Sequence, residues 1–179
     1  MAKGGIISAI HQGSLAEELE LVPGDKIISI NEQELTDIID LSFALADEEI
    51  EMLIEHENGE QEIIAFEKDI DEELGAEFES AVFGKIRQCA NNCYFCFVDQ
   101  VAPNMRDSLY IKDDDYRLSF LYGNFVTMTN MGPRDLERIH RLHLSPLYIS
   151  VHTTNPKLRG EMLRTKRGEL IMEQLAKLN

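Results

Sequence analysis

The 179-residue sequence has few cysteines, few basic residues in its first half, and no long apolar run. Three cysteines cannot all pair within one chain, so the sequence disfavours a disulfide framework. No stretch approaches the ~18 apolar residues of a membrane span, and the start lacks the apolar core of a signal peptide. These absences favour a protein with reduced thiols and predict a cytoplasmic location.

Basic residues are nearly missing from residues 1–75, which hold 3 lysines, no arginine and 21 acidic residues. Residues 76–179 hold 14 basic and 12 acidic residues, so the net charge changes from −18 to +2. This change predicts two domains, residues 1–70 and residues 76–179, with the boundary near residues 69–75. The acidic domain is not expected to bind nucleic acid, because it repels polyanions, and a solvated surface explains its charge.

The first domain alternates short apolar runs with turn signals. Strands are predicted over residues 4–10 and 26–31, and a hairpin over residues 51–55 and 60–66, joined by Asn58-Gly59. Ser14 is an N-cap candidate for one helical turn, with Glu17 as its capping-box partner. Apolar residues at helical spacing predict a helix over residues 36–45, capped by Thr36 or Asp37.

This order resembles a PDZ domain of the bacterial, permuted kind over residues 3–68. The resemblance is carried by residues 13–16, Gly-Ser-Leu-Ala, and residues 23–31, Pro-Gly-Asp-Lys-Ile-Ile-Ser-Ile-Asn. PDZ domains bind C-terminal carboxylates in a backbone nest and add the peptide as an extra strand. The resemblance therefore implies a C-terminal peptide partner, with Gly4, Gly5, Ile6 and Ile7 on the receiving strand. The alternative is a PDZ fold used as a docking block against its neighbour domain.

All three cysteines, Cys89, Cys93 and Cys96, lie within eight residues in a C-x3-C-x2-C pattern. Phe95 stands directly before the third. The pattern resembles the iron–sulfur signature of radical S-adenosylmethionine (SAM) enzymes. In that family three cysteines bind a 4Fe-4S cluster and leave the fourth iron open for SAM.

Two other uses of these thiols stay open. A structural zinc site needs four ligands, and the fourth would come from His140, His143 or His152. A redox pair of Cys93 and Cys96 would leave Cys89 without a role.

The second domain reads as the opening of a parallel α/β barrel. Strands are predicted over residues 77–89, over the end of residues 118–130 and over residues 147–152, with helices over residues 134–142 and 168–178. The predicted fold is thus an α+β PDZ-like domain followed by an incomplete (β/α) radical SAM-type barrel. Since a full barrel needs ~200 residues or more, we expect the chain to be the N-terminal part of a longer protein.

The radical SAM resemblance also implies contacts to SAM at the ends of these strands. Phe95 would pack near the adenine, while Thr129 and Asn130 stand where the family usually has a Gly-Gly-Glu stretch. Ser150 and His152 are the candidates on the third strand, although His152 could equally be a buried strand residue.

Two further clusters are polar. Residues 113–115, three aspartates, are predicted to be a solvated loop, and Arg159, Arg164, Lys166 and Arg167 are candidates for an anionic substrate or the SAM carboxylate.

Two more stretches accompany the PDZ-like module and the cysteine loop: residues 123–130, Gly-Asn-Phe-Val-Thr-Met-Thr-Asn, and residues 148–154, Tyr-Ile-Ser-Val-His-Thr-Thr. With them, essentially the whole chain resembles a bacterial family of unknown function that joins a PDZ domain to a radical SAM-like core and a further C-terminal domain. The resemblance implies an oxidoreductase in the full-length protein, which cleaves SAM reductively and abstracts hydrogen from a small-molecule or protein substrate that is not identified. An electron donor such as flavodoxin or ferredoxin is implied as a partner. The alternative function is a peptide- or protein-binding PDZ module with structural zinc or non-catalytic cysteines.

Overall fold

The computed structural model describes residues 4–178 and divides the chain into two compact units. The first unit runs to Lys85 and the second begins at Ile86. The structural division thus lies after Lys85, later in the chain than the boundary predicted near residues 69–75 from the change in charge. Within the described residues, no helix is long and apolar enough to cross a membrane.

The first unit is an antiparallel sheet with two short helices. In the sheet the strands lie in the order β5-β4-β2-β1-β6, and β3 pairs with β2. The buried residues of β4 are Ile50, Met52 and Ile54, which alternate as a half-buried strand requires. The elements are β1 (Gly5–Ile10), α1 (Leu15–Glu18), β2 (Lys26–Ile30), β3 (Gln33–Glu34), α2 (Ile38–Ala44), β4 (Glu49–Glu55), β5 (Gln61–Glu67) and β6 (Ala76–Phe78).

Local signals placed most of these elements correctly. Asp37 is the N-cap of α2, and its carboxylate accepts the Asp40 N–H at 3.0 Å. Ser14 caps α1 by accepting the Glu17 N–H at 3.4 Å, while Glu17 accepts the N–H of Gly13 at 2.6 Å. The predicted hairpin turn at Asn58-Gly59 is confirmed, because β4 and β5 pair along their full length.

The predicted strand over residues 77–89 is wrong. The only named strand in this stretch is β6, Ala76–Phe78, and residues 79–83 turn back onto the first unit. Val82 forms an isolated bridge with Asp37, and the Phe83 N–H donates to the Thr36 carbonyl at 2.9 Å. The Phe83 ring contacts Phe78 with ring centroids 5.3 Å apart. Burial of Val82 and Phe83 thus extends the first unit beyond the predicted end of its domain.

The strand predicted to receive a peptide is an inner strand. On one side of β1, Gly5 pairs with Ile27, and on the other side Ile7 pairs with Phe78. The Ile6 carbonyl accepts the N–H of Glu79 at 3.0 Å. The prediction that Gly4, Gly5, Ile6 and Ile7 form a free binding edge is therefore corrected, since β6 already pairs there.

The second unit contains helices around a two-stranded parallel sheet. In the sheet Phe125 is opposite Tyr148 and Val126 is opposite Ile149. No closed barrel is formed by the described residues. The elements are a 3-10 turn (Asp107–Tyr110), α3 (Tyr116–Tyr122), β7 (Phe125–Val126), α4 (Pro133–Arg141), β8 (Tyr148–Ile149), α5 (Pro156–Leu163), a second 3-10 turn (Lys166–Leu170) and α6 (Ile171–Leu178).

The predicted helix over residues 134–142 is confirmed, whereas the start of the strand before it is corrected. Residues 116–122 are helical because the Asp115 carboxylate accepts the N–H of Arg117 at 3.1 Å and caps α3. Gly123 ends the helix in the left-handed region at a φ of 76°. Only Phe125 and Val126 remain for the strand.

His56 connects the two strands of the predicted hairpin to a buried carboxylate in the first unit. Its Nδ1 lies 2.9 Å from Oδ1 of Asp25 and its Nε2 lies 3.3 Å from Oε2 of Glu62. Asp25 is 1% exposed. The hydrogen bond to Asp25 raises the pKa of His56 above its usual value, and the hydrogen bond to Glu62 raises it further by a smaller amount.

We predict that His56 makes the first unit less stable as the pH rises. The raised folded pKa means that the stabilisation is fully present below ~6.5, the unfolded value, and is lost as the pH passes the folded pKa. Amide hydrogen exchange of β1–β5 in the wild type and in His56→Asn, which retains a donor without the charge, measures this effect. Wild-type protection should fall towards that of the variant at high pH, and parallel pH profiles would contradict the assignment.

Candidate functional site

The two parallel strands of the second unit end side by side at polar residues. The Ser150 N–H donates to the Val126 carbonyl at 2.8 Å and continues the pairing of β7 with β8. Thr127 and Val151 therefore leave the sheet as neighbours. The carboxyl ends of parallel strands are where ligands bind in α/β folds.

A buried arginine holds these strand ends together. Arg159 in α5 is 0% exposed. Its guanidinium donates to the carbonyls of Thr127 at 2.8 Å and of Ser150 at 3.0 Å. It also donates to the carbonyls of Val151 at 2.8 Å and of Gly168 at 2.9 Å. These hydrogen bonds use four of the five N–H groups of the guanidinium, so only one is left for a ligand. Arg159 is therefore a structural residue and not the anion ligand suggested by the sequence.

A second buried network starts at Asp114, which is 1% exposed. Its carboxylate accepts the Thr127 N–H at 2.6 Å and the Thr127 hydroxyl at 2.7 Å. Burial raises the pKa of Asp114, and these hydrogen bonds oppose that rise. Thr129 also donates from its hydroxyl to this carboxylate, at 3.4 Å, and both threonines contact the cysteine loop. Asn91 donates to the Thr127 hydroxyl at 2.9 Å and accepts from the Thr129 hydroxyl at 2.8 Å.

The loop that carries the cysteines is tied to the fold by its backbone. The Cys89 N–H donates to the Lys112 carbonyl at 2.7 Å, and the Asn92 N–H donates to the carbonyl of Leu163 at 3.2 Å. All three thiols are free and half-buried. Burial raises the pKa of Cys89, and burial followed by the charges of Cys89 and Cys96 raises that of Cys93. Three soft donors thus share one partly desolvated region.

The structure brings several sequence-predicted residues to this region. The Phe95 ring lies against His152 with a centroid distance of 5.0 Å. His152 has a φ of 62°, so it stands just beyond the strand and not within it. Thr129 is buried in the Asp114 network, while the Ser150 carbonyl is used by Arg159.

Asn130 faces a separate cavity of about 740 Å³, which Thr129, Arg134, Arg167 and Gln174 also line. The amide nitrogen of Asn130 donates to the Gln88 carbonyl at 3.4 Å. The oxygens Asn130 Oδ1 and Gln174 Oε1 are buried and accept no hydrogen bond. Two unused acceptors beside two guanidinium groups suit a ligand that carries both an ammonium and a carboxylate.

Two known family profiles match the chain, one in its first part and one in its second part. Residues 68–179 match the family profile described as a radical SAM-like domain, and residues 6–56 match the PDZ domain profile. The chain belongs to the radical SAM-like family. The predicted pairing of a PDZ domain with a radical SAM-like domain is confirmed. No curated protein matches the chain in sequence.

The profile of the radical SAM-like domain begins earlier than the second structural unit. Residues 68–85 fall within its match, although their contacts place them in the first unit. The segment that contains β6 therefore matches the radical SAM-like profile in sequence but packs in the unit that contains the PDZ domain.

The three cysteine thiols of the radical SAM-like domain are chemically suited to bind an iron–sulfur cluster. Thiolates are the ligands that such clusters use, and the loop supplies three. Within residues 4–178, however, no group of three or more His, Cys, Asp or Glu side chains is arranged to hold a metal ion. Of the histidines considered for zinc, His140 contacts the Lys177 carbonyl and His152 contacts Phe95.

Sequence reasoning missed Asn91 and Asp114. The aspartates at residues 113–115 were expected to be solvated, yet Asp114 and Asp115 are both buried. Asp115 could have been found as the N-cap before Tyr116 and Leu118. Nothing local identifies Asp114, because its partners Thr127 and Thr129 follow a later helix and strand.

We predict that Arg159→Met lowers the free energy of unfolding of the second unit by about 3 kcal/mol or more, since four carbonyls lose their donor. Urea unfolding followed by tyrosine fluorescence measures this unit alone, because all five tyrosines lie in it and the chain has no tryptophan. Arg164→Met is the control. It removes a cation–π contact to Tyr94, with the guanidinium carbon 4.2 Å from the ring centroid, and no hydrogen bond to a carbonyl of the described residues. Equal losses in the two variants would contradict the role of Arg159.

We also predict that Asp114→Ala loosens the cysteine loop. Losing hydrogen bonds to Thr127 and Thr129 should raise the rate of thiol modification in the metal-free protein at least about tenfold. Asp113→Ala is the matched control, since that carboxylate contacts Asn124 at 2.8 Å and no residue of the loop. The same rate in both variants would show that Asp114 does not position the loop.

Proposed function

We propose that this protein is an enzyme of the radical SAM type, in which Cys89, Cys93 and Cys96 hold a 4Fe-4S cluster with one iron open to SAM. The chemistry that the cluster and SAM supply in this family is reductive cleavage of SAM, which gives a radical for hydrogen abstraction. Family membership supports the reaction class.

One observation carries the proposal: the cysteine loop is fastened to the ends of β7 and β8 at the position where α/β folds bind ligands. Asn91, between the first two cysteines, joins the Thr127 and Thr129 hydroxyls, and Asp114 holds both threonines. A structural zinc loop has no need of this connection to strand ends. A ligand bound beside the thiols does, because its other parts must meet the strand-end residues.

The cavity beside Thr129 is the proposed site for the amino-acid end of SAM. Asn130 Oδ1 and Gln174 Oε1 would accept the ammonium N–H groups, and Arg134 and Arg167 would face the carboxylate. Phe95, whose ring is tilted against that of His152, would pack near the adenine. Thr129 and Ser150 would act by shaping the strand ends, since their hydrogen bonds lie within the protein.

The electron that this chemistry consumes would come from a donor such as flavodoxin or ferredoxin. The fold we propose for residues 76–179 is the first part of a (β/α) barrel, preceded by the PDZ-like domain of residues 1–70. Three thiols without a disulfide support a reducing compartment, so we propose that the protein is cytoplasmic.

We predict that anaerobic reconstitution with iron and sulfide gives a brown protein whose reduced EPR signal changes when SAM is added. Cys93→Ala should lose the colour and the signal, because two thiolates remain. His143→Ala is the control, since it removes a zinc candidate but no cluster ligand. A colourless protein that binds one zinc ion, and loses it in His143→Ala, would replace the iron–sulfur assignment by a structural zinc site.

A peptide-binding function of the PDZ domain is a second proposal, and an open strand edge favours it. β6 is the last strand of the sheet, and a groove lies between it and α2. We propose that a peptide adds to β6 as a further strand, in place of the edge expected at Gly4, Gly5, Ile6 and Ile7.

A further inference from the structure

The groove of the PDZ domain has apolar walls. It has a volume of about 620 Å³, with Leu41 and Leu45 on the helical side and Phe78 on the strand side. Residues 70–75 form one part of its lining. In the described part of the chain, no segment pairs with the outer edge of β6.

The hydrogen-bonding groups of β6 divide between its two edges. The Gly75 carbonyl accepts the His11 N–H at 2.9 Å, and the Glu79 N–H donates to the Ile6 carbonyl at 3.0 Å, so both point to β1. Because these directions alternate along a strand, the N–H and C=O groups of Ala76 and Phe78 point to the groove. An extended segment can therefore pair with them through its main chain.

The polar part of the groove is acidic. Four exposed carboxylates line it: Asp71, Glu72, Glu73 and Glu77. None of the described lining residues is a lysine or an arginine, and the His11 Nε2 already lies 3.2 Å from Oε1 of Glu77.

The nearest lysine in sequence is also engaged. Lys68 is 7% exposed, and its ammonium donates to the carbonyl of Asp69 at 2.7 Å and that of Ile70 at 3.4 Å. No cationic side chain of the groove is thus presented to a carboxylate.

We propose that this groove binds an extended segment rich in lysine or arginine through its main chain and disfavours a free C-terminal carboxylate. This proposal rests on the peptide-binding function proposed above. A terminal carboxylate beside residues 70–75 would be repelled by Asp71, Glu72 and Glu73. In a bound strand, alternate side chains face opposite sides, so basic residues can meet these acids while apolar residues pack against Leu45 and Phe78.

Three labelled peptides test this with the full chain by fluorescence anisotropy. The first is acetyl-Lys-Val-Lys-Ile-Lys-Val with an amidated end, the second is the same peptide with a free carboxylate, and the third is the amidated peptide with glutamate for lysine. We expect the first to bind at least about tenfold tighter than the third and about threefold tighter than the second at low salt. Both differences should shrink when salt is raised.

A charge-reversed variant locates the binding. Asp71→Lys combined with Glu73→Lys should weaken the basic amidated peptide at least about tenfold and strengthen the free-carboxylate peptide. Glu57→Lys combined with Glu67→Lys is the matched control. It makes the same change of charge at exposed positions of the same unit outside the groove.

Each other outcome overturns a different statement. If the free-carboxylate peptide binds more tightly than the amidated one, the charge preference is wrong and peptide binding itself stands. If none of the three peptides binds, the peptide-binding function fails together with the preference. Equal weakening in the two charge-reversed proteins would show attraction to the acidic unit in general, and would overturn the groove as the site.

Discussion

The second unit depends on one buried cation. Arg159 donates to carbonyls at the ends of β7 and β8 and at Gly168 in the 3-10 turn before α6. A guanidinium suits this task because its planar donors satisfy several carbonyls at fixed angles, which a lysine ammonium cannot do. The sheet here has only two residue pairs, so its own ladder is too short to fix the strand ends. The backbone at Thr127, Ser150 and Val151 is therefore held in place by this interaction.

Asp114 complements Arg159 at the strand ends. The arginine binds backbone carbonyls there, whereas Asp114 binds the threonine hydroxyls. Burying a carboxylate is unfavourable unless its oxygens are hydrogen-bonded, and Thr127 and Thr129 supply those bonds. The threonine hydroxyls then orient Asn91. The loop that carries the thiols is therefore positioned by this network through Asn91. A loop of this composition would otherwise be free to move, since it contains no helix or strand.

Sequence patterns identified what is encoded locally and missed what depends on distant partners. The alternation of β4 and the cap at Asp37 are local signals, and the structure confirms the predictions made from them. The spacing of the cysteines is also a local signal, and the cluster site inferred from it stays a prediction. Residues 118–122 form an apolar run that suits a strand or a helix equally, and only the Asp115 cap decides for α3. β6 has three residues and is defined by pairing with β1, which lies some 70 residues earlier. Of the candidate site, the cysteines and Thr129 were predictable, whereas the partners that hold them were not.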